Sequence, residues 1–356
     1  MNHVNMRLLF AHVPYTQGLP RQLMSSLVWN GQFGVQIFFA ISGFLITSTS
    51  LRRWSSLHEI NIRAFYRMRF ARIAPLLILL LVILCILHQF GVPGFVISQK
   101  TGGLGRALLA ALTFHINYLE ASRGYLPGAW DILWSLSVEE IFYLFFPLIC
   151  RFLGRTKFLI PLLVVFVLAG PFARSSVFNH NPVWREYSYI GGMDAIALGC
   201  LTALLSSRKT LTSTARWITG VIGAAAMIFI LCFSLRAEAW GLTRNGLDMT
   251  ILAIGGCMVI LVSAQSGWQV PRVLGPLRRM GQHSYEIYLT HMFVVLTLFP
   301  LFIRLGKPLS FVPLLFLFVI VLASIVGELV ARFYSEPMNR RLRSQGEVKT
   351  ISPSLV

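Results

Sequence analysis

Two adjacent carboxylates, Glu139 and Glu140, lie inside an apolar segment of the chain. Ionisable side chains are costly in such segments, so their presence favours a functional role. In a helix, Ser135 and Glu139 share one face through i,i+4 spacing, whereas Glu140 points about 100° away. Glu139 is therefore expected to line a cavity with Ser135 and the neighbouring Trp134. The alternative is that both carboxylates lie at the membrane surface and reach water.

Three arginines, Arg67, Arg69 and Arg72, lie just before another apolar segment. Arg69 and Arg72 are spaced i,i+3, so one helical face presents both guanidinium groups. Guanidinium groups bind phosphates through charge-assisted hydrogen bonds. The pattern predicts a clamp for the phosphates of a cytosolic ligand, although arginines also collect in ordinary cytoplasmic loops.

A polar stripe of Ser284, Tyr288 and His291 runs along a third apolar segment. Their i, i+4 and i+7 spacing places all three on one helical face directed into a bundle. A catalytic histidine and a satisfied buried histidine fit this pattern equally well. Ser42 lies next to Gly43 in a fourth apolar segment, where close helix packing is the ordinary explanation and cavity lining is the functional one.

The composition identifies the class of protein to which these segments belong. Of 356 residues, 56% are hydrophobic and 12% are charged, whereas roughly a quarter are charged in soluble proteins. The net charge of +18 comes from basic residues that separate apolar runs, which argues against a nucleic-acid-binding face. The five cysteines lie in apolar stretches without metal-ligand spacing, so we expect no metal.

Nine segments are long and apolar enough to cross a bilayer. They are residues 33–50, 73–92, 132–152, 157–173, 188–207, 215–235, 247–266, 281–303 and 309–334. The expected fold class is therefore an all-α polytopic membrane protein, folded as a helical bundle.

Basic residues concentrate in every second connection and in the C-terminal region. The positive-inside rule places these connections and the C-terminus in the cytoplasm, with the bundle in the inner membrane. The apolar residues 104–118 must then stay on the outer side as a re-entrant or surface helix. Nine spans that end inside must begin outside, so we expect a further span before residue 1.

Five motifs, in order along nearly the whole chain, resemble those of the membrane-bound acyltransferase family 3, the O-acetylases of surface polysaccharides. They are Gly-Val-x-x-Phe-Phe-x-x-Ser-Gly-Phe-Leu-Ile from Gly34, the Arg69/Arg72 loop ending in Ile-Ala-Pro, Trp-Ser-Leu-Ser-Val-Glu-Glu-x-Phe-Tyr from Trp134, Ser-Tyr-x-x-Tyr-Leu-Thr-His from Ser284, and Glu336-Pro337. The resemblance implies a transmembrane acyltransferase domain over residues 1–345 and a cytoplasmic tail over residues 346–356.

The resemblance also implies ten spans, acetyl-CoA as the cytosolic donor and an extracytoplasmic glycan or lipid-linked saccharide as the acceptor, such as lipopolysaccharide or exopolysaccharide. It implies an essential histidine that follows an arginine at the end of the first span. His3 fits this position best, with its arginine before Met1, and His12 is the rival. A neutral histidine suits a general base that Glu139 orients, and an acyl-enzyme intermediate stays an alternative.

Two other functions are compatible with a basic polytopic bundle. A transporter or flippase would show inverted repeats with broken helices, and the sequence shows no such self-similarity. An inactive scaffold is the third possibility. An acetylase could transfer directly to the acceptor or act through a separate periplasmic transferase.

Overall fold

The computed structural model describes residues 1–29, 31–154, 156–267 and 271–344, and the long elements there are α-helices. The tail expected at residues 346–356 lies outside the described residues. We label the α-helices of eight or more residues in chain order. They are α1 Asn2–Phe10, α2 Gly31–Trp54, α3 Ile62–Gln89, α4 Gly103–Leu112, α5 Ile116–Arg123, α6 Leu133–Leu153, α7 Thr156–Arg174, α8 Tyr189–Arg208, α9 Ser213–Cys232, α10 Leu247–Ser266, α11 Gly275–Gln282, α12 Ser284–Arg304, α13 Val312–Val330 and α14 Glu336–Ser344.

Nine spanning helices are present among the described residues, and they correspond to the nine apolar segments of the sequence. They contain α2, α3, α6 to α10, α12 and α13. The expectation of an all-α polytopic membrane protein is confirmed. The helices α6 and α8 are the most deeply buried, whereas α9 is peripheral and exposes most of its surface.

The helix α3 begins eleven residues earlier than the apolar segment that predicted it, at Ile62 rather than residue 73. Asn61 caps its first turn, because the side-chain oxygen of Asn61 accepts the Ala64 N–H at 2.9 Å. The extension places Arg69 and Arg72 on a rigid helix rather than in a loop.

The segment at residues 104–118 forms two short helices rather than one. Phe114 lies between α4 and α5 with φ of 57°, a left-handed conformation that interrupts an α-helix. A helix of ten residues such as α4 extends about 15 Å, half of the bilayer core. The helix α4 is therefore too short to cross the bilayer.

Small residues bring α2 and α8 into direct backbone contact. A Cβ atom on Gly43 would lie 2.0 Å from the carbonyl oxygen of Ile196, and one on Gly199 would lie 2.1 Å from that of Ala40. No side chain fits there, so the packing interpretation of the Ser42-Gly43 pair is confirmed for Gly43.

The connections that follow α2, α6 and α8 meet at one end of the bundle, which we call the arginine-rich end. Arg52, Gly154 and Arg208 line one groove there, and the Arg151 guanidinium donates to the His58 carbonyl at 3.2 Å. At the opposite end, Lys307 between α12 and α13 donates to the carbonyl oxygen of Ala11 at 3.0 Å. This contact fixes the end of α1 there.

Candidate active site

Two histidines from distant parts of the chain meet in the bundle. The ring centroids of His3 on α1 and His291 on α12 lie 5.2 Å apart, with 41° between the ring planes. Both side chains are half-buried. The structure thus joins the histidine implied by the family resemblance to the histidine of the polar stripe.

The tautomer of His291 follows from one hydrogen bond. Its Nδ1 atom lies 2.6 Å from the backbone carbonyl oxygen of Tyr288. Because a carbonyl oxygen can only accept, Nδ1 carries the proton of the neutral ring, and Nε2 keeps its lone pair. His291 is therefore oriented as a proton acceptor through Nε2.

Tyr288 connects this histidine pair to α6. Its hydroxyl lies 2.6 Å from the hydroxyl of Ser135 and donates to the Ile132 carbonyl at 2.7 Å. Its ring centroid is 5.8 Å from that of His291. The stripe on α12 and the start of α6 therefore hold each other in register.

The depth of the histidine pair follows from helix geometry. Ten residues separate Ile62 from Arg72 on α3, or about 15 Å along the helix. Arg72 pairs with Glu286, and His291 lies five residues, about 7 Å, further along α12 towards the opposite end. The histidines therefore lie between the two ends of the bundle, deeper than the arginines.

Glu139 is almost fully buried, with 6% of its surface exposed. Its carboxylate accepts hydrogen bonds from the hydroxyls of Ser42 and Tyr143. The structure brings Glu139 together with these hydroxyls rather than with His3. An influence of Glu139 on the base would have to pass through the packing of α6.

Arg69 contacts Tyr143, one of the hydroxyl partners of Glu139. Its guanidinium carbon is 4.3 Å from the ring centroid of Tyr143, a cation–π contact. Glu140 points elsewhere, as the 100° offset predicts, and its buried Oε1 atom has no hydrogen-bond partner among the described residues. The two adjacent carboxylates thus have different surroundings.

The two guanidinium NH groups of Arg72 are occupied by Glu286, with N–O distances of 2.8 and 3.2 Å. The Glu286 side chain is fully buried, whereas 29% of the Arg72 side chain is exposed. Glu286 occupies the third, unspecified position of the motif that begins at Ser284. Its position one turn before Thr290 on an apolar helix was the available signal.

Three of the candidate residues lie apart from the histidine pair. His12 is exposed just beyond α1 and has φ of 52°. Ser284 is half-buried at the start of α12, and Arg67 is half-buried on α3 without an ion pair among the described residues. Within the polar stripe, only Tyr288 and His291 contact each other's rings.

A buried ion pair, not assigned a role by the sequence pattern, joins α7 to α8. Both oxygens of Asp194 accept from Arg174, at 2.9 and 2.7 Å. Gln36 and Thr250 also donate to Asp194, at 2.8 and 2.7 Å. The side chains of Arg174 and Asp194 are 8% and 0% exposed. Asp194 is an acidic residue inside the apolar segment 188–207, which was the available signal in the sequence.

Comparison with known proteins identifies the chain's relatives. The chain is 27% identical over 336 residues to the peptidoglycan O-acetyltransferase OatA of Listeria monocytogenes, which covers 87% of this chain and 51% of that protein. It is 23% identical over 333 residues to the O-acetyltransferase OatA of Staphylococcus aureus, with coverage of 87% and 53%. It is 26% identical over 337 residues to the putative peptidoglycan O-acetyltransferase YrhL of Bacillus subtilis, with coverage of 89% of this chain and 51% of that protein.

The chain therefore spans about half the length of the curated relatives it matches. No solved structure matches it. The model of the acyltransferase family 3, described as an acyltransferase domain, matches residues 1–331. With that match over nearly its whole length, and with the family's motifs gathered in one helical bundle, the chain belongs to the acyltransferase family 3.

Proposed function

We propose that the protein is an integral membrane O-acetyltransferase that moves an acetyl group from cytosolic acetyl-CoA to a hydroxyl of an extracytoplasmic glycan. Membership of the acyltransferase family supports acyl transfer. The names of the relatives, which are O-acetyltransferases, support acetyl as the group and a wall or surface glycan as the acceptor. In this proposal the arginine-rich end and the C-terminus face the cytoplasm, across the inner membrane.

The observation that carries the proposal is the histidine pair, with Nε2 of His291 left as an acceptor. In the reaction, Nε2 of His291 takes the proton of the acceptor hydroxyl while the oxygen of that hydroxyl attacks the carbonyl carbon of the thioester. The new C–O bond forms, the C–S bond breaks, and the imidazolium returns the proton to the leaving thiolate. General-base catalysis of this kind contributes about 10²–10⁴-fold to the rate.

His3 is the second member of the pair and is also in position to accept a proton or to carry the acetyl group. Direct transfer and an acetyl-histidine intermediate differ in one observable. An intermediate would leave labelled acetyl on the protein when acetyl-CoA is present without an acceptor. Direct transfer would leave none. A separate periplasmic transferase would be required if neither histidine site accepts a glycan directly.

The donor binds, in this proposal, at the arginines of α3. Arg69 and Arg67 form no salt bridge among the described residues, so their guanidinium groups can donate hydrogen bonds to the phosphates of coenzyme A. Arg72 contributes from a fixed position, because Glu286 holds two of its nitrogen atoms. Glu286 is thus a positioning residue for the donor site.

The test is label transfer from [¹⁴C]acetyl-CoA in membranes that contain the protein or its histidine variants. We expect His291→Gln and His3→Gln each to lower the rate about 100-fold or more, at unchanged abundance and thermal midpoint. The exposed His12→Gln is the matched control and should transfer at the parent rate. Parent activity in both His291→Gln and His3→Gln would overturn the assignment, and loss in His12→Gln alone would move the base to His12.

A further inference from the structure

A second cavity, of about 310 Å³, opens at the end of the bundle opposite the arginines. It lies between α2, α6, α8 and α10, and its volume is at the lower limit of the ~300–1,000 Å³ typical of small-molecule sites. Gln36, Trp134, Arg185, Glu186 and Asp248 are among its lining residues. None of these belongs to the histidine pair or to the donor arginines.

Several polar groups in this cavity have unused hydrogen-bonding capacity within the described part of the chain. Asp248 is 5% exposed, and one of its oxygens accepts the Met249 N–H at 2.8 Å, which leaves the other oxygen available. Gln36 donates to Asp194 and keeps its carbonyl oxygen available. The Trp134 indole N–H has no acceptor there. A ligand in the cavity can form hydrogen bonds with these free atoms.

The floor of the cavity is rigid. Arg174, which also lines the cavity, is saturated by Asp194, Thr250 and the carbonyl oxygens of Gly191 and Gly246. Because all these acceptors are protein groups, Arg174 joins α7, α8 and α10 and does not contribute a free charge. The site is therefore preorganised by a buried ion pair.

The charge of the cavity selects the class of ligand. Arg174 is neutralised by Asp194, so the remaining charges are those of Arg185, Glu186 and Asp248. These groups give the lining no net positive charge, which disfavours anions such as the phosphates of coenzyme A. A neutral polyhydroxyl ligand fits, because it supplies both donors for the carboxylates and acceptors for the indole and guanidinium groups.

The cavity and the histidine pair flank the first turn of α6. Trp134 lines the cavity and stacks on Tyr187 with ring centroids 4.3 Å apart. The next residue, Ser135, contacts Tyr288 beside His291. A ligand that extends from the cavity around this turn would therefore approach the histidines.

We propose that this cavity binds one sugar ring of the acceptor glycan next to the ring that is acetylated, and that Asp248, Gln36 and Trp134 determine its specificity. This inference rests on the proposed acetyl transfer for the role of the sugar. Binding of the sugar does not require acetyl transfer and can be measured without it.

The test measures binding and turnover separately on the purified protein. Isothermal titration with the N-acetylglucosamine tetramer and with maltotetraose, both without acetyl-CoA, detects the site and distinguishes an amino-sugar glycan from a glucose glycan. We expect Asp248→Asn to weaken binding about tenfold or more, because a charge-assisted hydrogen bond is lost. The matched control is Glu238→Gln, which neutralises an exposed carboxylate outside the cavity.

A second variant protects the test against a folding defect. Val35→Phe places a larger side chain at the half-buried lining of the cavity and should also abolish binding without changing the thermal midpoint. In turnover, both variants should raise the KM for the glycan, whereas Glu238→Gln should leave it at the parent value. Absence of binding by both tetramers, or equal binding by the parent and Asp248→Asn, would overturn the site. Absence of acetyl-CoA turnover in the parent would instead overturn the proposed function and leave a positive binding result intact.

Discussion

The ion pair between Arg72 and Glu286 should affect both the unfolding free energy of the protein and its KM for acetyl-CoA. Glu286 is fully buried and Arg72 is about 70% buried. Arg72→Met leaves an unpaired carboxylate inside the bundle, which should cost about 3–5 kcal/mol of unfolding free energy. Glu286→Met leaves an unpaired guanidinium group and should cost a similar amount.

The double variant Arg72→Met/Glu286→Met tests whether the two side chains act as one buried pair. If the two losses were independent, they would sum to about 6–10 kcal/mol. Replacement of a whole buried pair by apolar side chains is often neutral or stabilising, so we expect Arg72→Met/Glu286→Met to recover most of the parent stability. The surface pair Arg279–Glu328, at 3.5 Å and with exposures of 56% and 46%, is the control, and Arg279→Met should cost at most about 1 kcal/mol.

The assay is thermal unfolding in detergent, followed by the KM for acetyl-CoA of each variant. We expect the double variant to recover its thermal midpoint but not its affinity for the donor, because the guanidinium group is still missing. Additive losses in the double variant would refute the buried-pair argument. Full recovery of donor affinity would show that Arg72 serves only the fold.

Further predictions concern the rest of the bundle. Asp194→Ala should cost about 3–5 kcal/mol because it leaves Arg174 buried without its partner, which thermal unfolding would show. Gly199→Val should prevent close packing of α2 on α8 and reduce the folded yield, measured by gel filtration. Glu139→Gln should lower acetyl transfer while membrane insertion persists, and full transfer would end its proposed role. Burial and the neighbouring Asp131 raise the pKa of Glu120 on α5 well above its ordinary value, so the parent should lose stability as the pH rises from about 4.5 through that raised pKa. Glu120→Gln should weaken this pH dependence, and an unchanged profile would refute the burial argument.

The number and approximate bounds of the spanning helices could be predicted because each requires about 20 apolar residues. The start of α3 could not, because the arginines lie before the apolar segment, whereas the Asn61 cap extends the helix through them. The break at Phe114 depends on one left-handed residue, which composition does not reveal.

The candidate site also contains features that could be predicted from the sequence and features that could not. Spacing on one helix correctly placed Tyr288 beside His291 and separated Glu139 from Glu140. Contacts between helices could not be predicted in this way. The meeting of His3 with His291, and of Arg72 with Glu286, joins residues far apart in sequence, and their pairing depends on how the helices pack.

In the proposed reaction, acetyl passes at the histidine pair from a donor on one side of the membrane to an acceptor on the other. The most direct measurement uses proteoliposomes of known orientation, with acetyl-CoA on one side and the N-acetylglucosamine tetramer on the other. We predict acetylated tetramer only when acetyl-CoA faces the arginine-rich end, and its loss in His291→Gln. Transfer that requires donor and glycan on the same side, or that persists in His291→Gln, would rule out acetyl transfer across the membrane at the histidine pair.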